Sequence, residues 1–553
     1  MAAAIGRNFS LDLLYGVWDG VASKLRAGIN SLLNAELIFQ QTPNSCADPA
    51  NTIFEFIHEL VRETAYQSLL RSRRREIHRR IAQILEKRFP NEVARHPELL
   101  AHHLSEAGLP QQALPLWRLA AHNAVRNSAN LEAIGHLSRA LEIVRTQSLT
   151  PATKAQELEL QMSLATPLMA AKGYGSPELD AVIRRAMALV EEIGNVPQIF
   201  PLLYGRWSFY QVTGELRNAL ELAQDFVNLA ERQTDTGPVI VGQRLLGTSF
   251  QALGHPKLSL VHVERALAVF DADRHSSLAY SYGADIKVMA LCTLALTKWT
   301  LGMEASARSR MHEAWQRAES LGHANTLAYC SSYRATLGYL CGEVEVVESA
   351  SEFSTFLSAE HSLPLWQVTA KGFQGWTQLS RGDPAGAARM LRETLTSMQQ
   401  IKLIYWQATV WMWFGQALDG AGHFDDAEAA FVHSHEIMEH TGERWAEAEL
   451  FRAWGCARLH AGRTDAESLF QTSLNIAQEQ NAIAWSLRTT LEMAQQASCA
   501  GDDVHARDLL RPILATLPDS EGGADFARAR LIMNGARSSR NWHVITKHES
   551  ASL

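Results

Sequence analysis

At 553 residues, 46% hydrophobic and 20% charged with a formal net charge of −8, the chain is long enough for several globular domains or for one repeat array that never closes a single core. The acidic balance argues against a dominant nucleic-acid role, which needs a net or local basic excess, and no run of 18 apolar residues predicts a membrane span. Six scattered cysteines (Cys46, Cys292, Cys330, Cys341, Cys456, Cys499) without a C-x-x-C pair read as reduced, buried thiols of a cytoplasmic protein, and Met1 to Ser10 lacks the basic segment and apolar run of a signal peptide.

Residues 1 to 34 carry two short helical patterns, Ser10 to Val17 behind a cap at Asn8 or Ser10, then Val21 to Leu33. Two β-prone runs follow, Glu36 to Gln40 and Thr52 to Phe56, separated by the turn-rich stretch Thr42 to Asn51. Helices followed by a hairpin suggest a small winged-helix module. Its would-be recognition helix, Ser23 to Leu33, offers only Lys24 and Arg26, which favours packing over DNA binding. His58 to Arg88 reads as one or two helices with Ile77, Ile81, Ile84 and Leu85 on one face. Arg71, Arg73, Arg74, Arg75, Arg79 and Arg80 lie opposite; no aromatic residues interleave for base stacking, so this reads as a solvated face.

A repeat array begins near Pro97. Gly108 already shows its local pattern, with Ala101 seven residues before and Ala113 five after. Further helices are expected at Asn130 to Val144, Lys154 to Ala171 and Pro177 to Ile193. Gly214 and Gly254 then lead, across a gap of 48 residues, into Gly302, Gly342, Gly382, Gly422, Gly462 and Gly501, spaced by 40 residues and finally by 39. A small residue stands seven before each of the last six (Ala295, Ala335, Gly375, Gly415, Gly455, Ala494), and an alanine usually five after. Glycine turns the chain back sharply and small residues let two helix axes approach, so each period is a helical hairpin. One hairpin cannot bury its own apolar face, so the units must stack. Trp366, Trp406, Trp445 and Trp485 mark the start of the first helix in four successive units, where a ring can fill the gap between hairpins. The long gap implies an insertion of about eight residues around Asp271 to Asp285. After Leu517-Pro518 a break precedes one last helix, Ala524 to Met533, and Asn534 to Leu553 is expected to be disordered.

Little in this pattern carries chemistry. His435 and His440 are five apart, which puts them about 140° apart on a helix, away from a zinc-binding face. His102 and His103 point in divergent directions, which suggests a structural role. Glu436 and Glu443 read as solvated helix faces, and Trp411 and Trp413 as core. No G-x-x-x-x-G-K-[ST] occurs, so nothing is expected to hold nucleotide phosphates. No catalytic residue, cofactor or metal is expected. Polar first-helix positions (Lys371, Gln374, Gln407, Arg452, Arg488) are the candidate lining of a partner groove.

Phe54 to Tyr66 and Leu70 to Ile81, with Pro97-Glu-Leu-Leu-Ala-His-His-Leu-Ser-Glu-Ala-Gly108, resemble segments of large bacterial signalling ATPases of the STAND class. The likeness continues through Lys172-Gly-Tyr174, Trp207-Ser-Phe-Tyr210 and Tyr282-Gly-Ala-Asp285. In that family a cyclase or DNA-binding domain often precedes an AAA-type ATPase, then come a winged helix and tetratricopeptide-like repeats. The resemblance implies an all-α superhelix of tetratricopeptide-like hairpins (97–518) behind a winged-helix remnant with a β-hairpin (1–62) and linker helices (63–96), ending in a terminal helix and tail (519–553). It further implies a non-catalytic sensor and protein-interaction scaffold without the ATPase or adenylate/guanylate cyclase part. A protein or small-molecule effector would bind on the concave face, and an ATPase or cyclase module would act in trans. A free-standing repeat adaptor is the alternative, and a transcriptional regulator using the winged helix a further one.

Overall fold

The computed structural model describes residues 1–41, 52–173, 175–193 and 199–535, and the chain divides into two compact units, Met1–Leu160 and Gln161–Leu553. The expected turn at 42–51 with Cys46, Tyr174, and the tail from 536 onward lie outside the described residues.

The first unit begins with α1 (Ala2–Ile5), β1 (Asn8–Ser10), α2 (Leu11–Val17), α3 (Ala22–Asn34), β2 (Ile38–Gln40) and β3 (Ile53–Phe56). The strands form an antiparallel sheet in the order β1-β3-β2, with Phe9 opposite Phe54 and Phe39 opposite Glu55. The sequence reading gave Asn8 to Ser10 only a capping role. Ser10 does cap α2, its Oγ accepting from the Leu13 N–H at 3.2 Å. The same three residues are also a strand, too short for an alternating pattern to be read and paired only with a distant partner. Phe9, Phe54 and Phe56 pack together beneath Leu14, Leu25, Ile29 and Ile38. Then come α4 (Glu59–Gln67), α5 (Arg71–Arg88), α6 (Pro90–Arg95), α7 (Pro97–Glu106), α8 (Pro110–Arg126) and α9 (Asn130–Arg145). Ile77, Ile81 and Leu85 are buried as the periodicity required. The arginines opposite are partly engaged: Arg80 pairs with Asp19 at 2.8 Å and Arg73 with Glu76 at 2.8 Å.

Helix α10 (Pro151–Lys172) contains the division between the units, and α11 (Pro177–Ile193) follows. The hairpins are α12 (Ile199–Val212) with α13 (Leu216–Ala230), and α14 (Gly237–Ala252) with α15 (Pro256–Val269). The eight-residue insertion forms two short helices, α16 (Ala272–His275) and α17 (Leu278–Tyr282). Next come α18 (Ile286–Thr300) with α19 (Glu304–Leu321), α20 (Ala324–Cys341) with α21 (Val344–His361), and α22 (Pro364–Ser380) with α23 (Pro384–Gln400). The last pairs are α24 (Gln407–Gly420) with α25 (Phe424–Thr441), α26 (Glu447–His460) with α27 (Ala466–Gln480), and α28 (Ile483–Cys499) with α29 (Asp503–Leu514), before α30 (Ala524–Met533). The architecture is an all-α, tetratricopeptide-like superhelix behind a small N-terminal sheet.

The turns repeat one hydrogen-bond pattern. At Gly342 (φ 74°) the next residue, Glu343, donates its N–H to Gly338 O at 2.8 Å. The same bond recurs from Met303 to Lys298, Asp383 to Gln378, His423 to Leu418 and Arg463 to Arg458. It satisfies a carbonyl that the helix end leaves open, and the left-handed residue it needs is glycine. Within the hairpins, a Cβ on Gly415 would meet the Phe431 ring at 3.1 Å and one on Gly455 the Phe470 ring at 2.8 Å, so the small positions seven before each turn set the inter-helix distance.

The second unit winds tightly enough for successive superhelical turns to touch. Ile404 and Tyr405 donate their N–H groups to Val212 O at 2.9 and 3.1 Å, and Arg444 donates to Ala252 O at 2.9 Å, roughly five hairpins further on. Lys257 Nζ reaches Asn481 Oδ1 at 2.8 Å, and Ser306 donates to Glu521. At Gly214 the nearest atoms to an added Cβ are Thr441 Cγ2 (2.7 Å) and Ile404 Cγ2 (3.0 Å), and at Gly302 Leu517 Cδ2 (2.5 Å). The first glycines of the ladder therefore form a seam. Gly342, Gly382, Gly422, Gly462 and Gly501 meet nothing within 4 Å.

Candidate functional site

Behind this seam lies a cavity of about 120 Å³, walled by the first helices of successive hairpins. Each helix gives one face to it. α12 supplies Tyr204, Trp207, Ser208 and Gln211; α14 supplies Arg244, Thr248 and Gln251; α20 supplies Tyr329, Ser332, Tyr333 and Thr336. Leu365, Trp366 and Thr369 of α22 continue the wall, and Leu403, Tyr405, Trp406 and Trp445 close it near the seam. These helices are buried nearly all round because one side faces the second-helix layer and the other this interior, which explains why α12, α14, α18 and α20 show little amphipathic period.

Three tryptophans of the ladder, Trp366, Trp406 and Trp445, are part of the same wall. Trp406 and Trp445 stack at 5.3 Å, and Trp485 lies edge-on to Trp299 at 4.6 Å. Trp366 Nε1 donates to Asn325 Oδ1 at 2.7 Å, and Trp485 Nε1 to Trp445 O at 2.9 Å. Trp406 has φ 76°, an uncommon backbone for a bulky residue. Its N–H is held by Glu443 Oε2 at 3.1 Å, while Glu443 Oε1 accepts from Trp445 Nε1 at 2.8 Å. Glu443 is fully buried, so the expectation of a solvated helix face is corrected: it lies between helices, where it secures two wall tryptophans. Burial raises its pKa to about 7, against the lowering effect of those two hydrogen bonds. Burial also pushes the phenols of Tyr329, Tyr333 and Tyr405 up.

The wall also has a polar side. Arg244 is 2% exposed, its guanidinium 4.8 Å from the centre of the Trp207 ring and 5.4 Å from that of Tyr204. Its Nε and Nη2, both amide atoms of Gln211 and the Ser208 hydroxyl are buried without a hydrogen-bond partner in the protein. No aspartate or glutamate is among the residues lining the cavity.

None of the five groove candidates lines it. Lys371 Nζ pairs with Glu393 at 2.6 Å, Gln374 Nε2 donates to Thr355 Oγ1 at 3.1 Å, and Gln407 is buried with its Nε2 on Leu403 O at 2.7 Å. Arg452 and Arg488 are brought together through Glu449: Arg452 makes a two-pronged contact with it at 2.8 Å, and Arg488 pairs with Asp525 at 2.8 Å while lying over Trp299 and Trp485. Arg244 and Gln211 were missed because nothing in their local spacing marks them; only the absence of an acidic residue on all facing helices does.

Two other clusters hold titratable groups. In the first unit His102 and His103, expected to diverge, lie with their rings 5.2 Å apart and are joined by His78, with Nδ1 of His78 and His103 2.8 Å apart and Tyr66 Oη 2.9 Å from His78 Nε2. The three imidazoles have nitrogens within 4.8 Å of one another, a donor set that could take a metal ion. Burial lowers the pKa of His78 to about 4 and of His103 to about 3. His435 groups not with His440 but with Glu439 and Glu447. Trp413 is core, as expected, whereas Trp411 is partly exposed against His433. Of the cysteines, Cys292, Cys330 and Cys341 are buried free thiols; Cys499 is exposed, correcting its expected burial. Among the described residues no helix is long and apolar enough to cross a membrane.

The fold defines the class, a tetratricopeptide-like helical repeat protein. No family model matches the chain. An uncharacterized protein of Rhizobium meliloti (strain 1021) is 22% identical over 454 residues, which is 81% of this chain; the chain spans 44% of that relative's length. Among solved structures, the Rap protein complexed with competence and sporulation factor superposes with a TM-score of 0.50 at 11% identity, over 67% of this chain and 99% of that one. The STAND protein with a tetratricopeptide repeat sensor from Pyrococcus horikoshii superposes with a TM-score of 0.30 at 14% identity, over 72% of this chain and 62% of that one.

Proposed function

We propose that this chain is a non-catalytic sensor and interaction scaffold whose effector binds inside the superhelix, and that it serves as the regulatory part of a STAND-type ATPase or nucleotide cyclase system. The observation that carries the reading is the interior cavity, whose aromatic walls come from many first helices, so an occupant would bias the packing of all of them at once. The STAND assignment is supported by the motifs around His58 and His102. On it, 1–62 is a winged helix, 63–96 linker helices, 97–518 the solenoid and 519–553 a terminal extension, and the protein is cytoplasmic. On this reading Lys371 and Gln374, on the first helix of a cavity-lining hairpin but outside the cavity, are positions through which a protein partner could read its state, whereas Gln407, Arg452 and Arg488 are engaged within the protein. Arg26, one of two cations on the would-be recognition helix, is engaged by Tyr15 Oη at 2.8 Å, which favours a packing role for the winged helix over DNA binding.

The test uses the tryptophans themselves. Aromatic and peptidic compounds that enter the interior are expected to quench or shift the emission of Trp207, Trp366, Trp406 and Trp445 and to raise Tm, while MgATP is expected to do neither and not to be turned over by the purified chain. Nucleotide turnover would overturn the reading.

A further inference from the structure

Among the described residues, several partly buried guanidinium groups are held by carboxylates. Arg317 is held by Asp285 at 2.8 Å, Arg452 by Glu449 and Arg488 by Asp525, each at 2.8 Å. Arg244 is more deeply buried than these, 2% exposed, yet among the described residues no carboxylate lies within ion-pair distance of it, and its Nε and Nη2 find no acceptor. Its neighbours on the wall, Gln211 and Ser208, are 6% and 3% exposed and equally unsatisfied. Buried polar groups are ordinarily partnered, and a buried charge that is not is strongly unfavourable. Three such side chains from two adjacent helices converging on one cavity are therefore an unfilled recognition set.

We infer that the cavity is the site for a small aromatic carboxylate that carries no ammonium group, with its carboxylate in the fork of Arg244 and the Gln211 amide beside it. This deepens the proposed function and rests on its claim that the interior is the binding surface. The charge follows from the wall: one cation lines it and no acid does, so one negative charge is matched, whereas the second charge of a phosphate monoester and the ammonium of an amino acid would both lack a partner. The shape follows from the guanidinium, whose planar fork meets a carboxylate through two parallel hydrogen bonds. Trp207 and Tyr204, whose ring centres are 6.2 Å apart, lie side by side against the guanidinium. The body follows from Trp366, Trp406, Tyr329 and Leu365, which offer ring faces and apolar surface to a flat group.

The experiment titrates the full chain with phenylacetate, 4-hydroxycinnamate, indole-3-acetate and 2-naphthoate, each beside its primary amide, and with inorganic phosphate, following tryptophan emission and calorimetry. At least one carboxylate is expected to bind at one per chain and at least tenfold more tightly than its amide. Arg244→Met is expected to keep Tm at or above that of the parent, since it removes an unpaired charge, and to abolish the preference for carboxylate. Gln211→Leu provides the second variant, with a smaller loss for carboxylates. Amides binding as well as acids, with Arg244→Met silent, would sink the carboxylate assignment and leave interior binding standing. Phosphate binding that depends on Arg244 would also sink it. If no compound of either charge perturbs the tryptophans, the interior reading fails and the carboxylate assignment with it.

Discussion

Glu443 shows how much a single side chain can hold in this fold. It is fully buried, has no cationic partner among the described residues, and its two oxygens fix the left-handed Trp406 and the indole of Trp445. Its folded pKa is about 7 against 4.5 for an ordinary glutamate, so between those values the native state keeps a proton that the unfolded chain has released. Stability therefore falls as pH rises through this window, and the penalty is complete above about pH 7. Glu443→Gln retains an acceptor oxygen and loses the titration. Its amide NH2 meets one of the two N–H donors, which costs stability at every pH, but relative to the parent it is expected to gain roughly 2 to 3 kcal/mol between pH 5 and pH 8; urea unfolding at both pH values decides, and an offset that does not change with pH would refute the account. The sequence could not reveal this glutamate. It sits in a turn between two helices, where no period reports burial, and one of its two partners, Trp406, lies 37 residues away in the chain.

At the scale of the element, the hairpins were legible because one physical requirement recurs: a left-handed turn, a small residue where helices cross, a ring at the entry to the first helix. Gly342, Ala335 and Trp366 each occupy the position that the spacing assigned. β1 was not legible, because three residues carry no period, and neither was Arg244, whose meaning depends on what four facing helices lack. The glycines also divide in a way the ladder conceals. Gly342 and Gly214 share a positive φ, but only Gly214 faces side chains of a later hairpin. Gly342→Ala is expected to lose about 1 kcal/mol through backbone strain alone, and Gly214→Ala roughly 2 kcal/mol more through its clash with Thr441 and Ile404. Equal losses in chemical denaturation would mean that the seam contributes nothing at this turn.

For the whole second unit, contacts along the seam add a second kind of neighbour to the stack. A solenoid ordinarily couples each repeat only to those beside it. Here Trp485 packs on Trp299, and Arg488 lies over both rings. Trp485→Ala, which truncates a side chain 1% exposed, is expected to raise amide exchange in α18 as well as in α28 while α22 and α23, between them in the chain, keep their protection. Exchange that instead fades outward along the sequence would mean the turns touch without sharing energy.

The hydrogen bonds from Ile404 and Tyr405 to Val212 give the same point a mechanical sense. A solenoid without such bonds behaves as a spring, whose ends answer a disturbance only after every coil has yielded. With adjacent coils fastened, a disturbance around residue 405 reaches residue 212 in one step, and the hairpins between need not deform. On the proposed function, the closed winding would act as a clasp around its contents, and an occupant of the cavity would register as tension across the fastening.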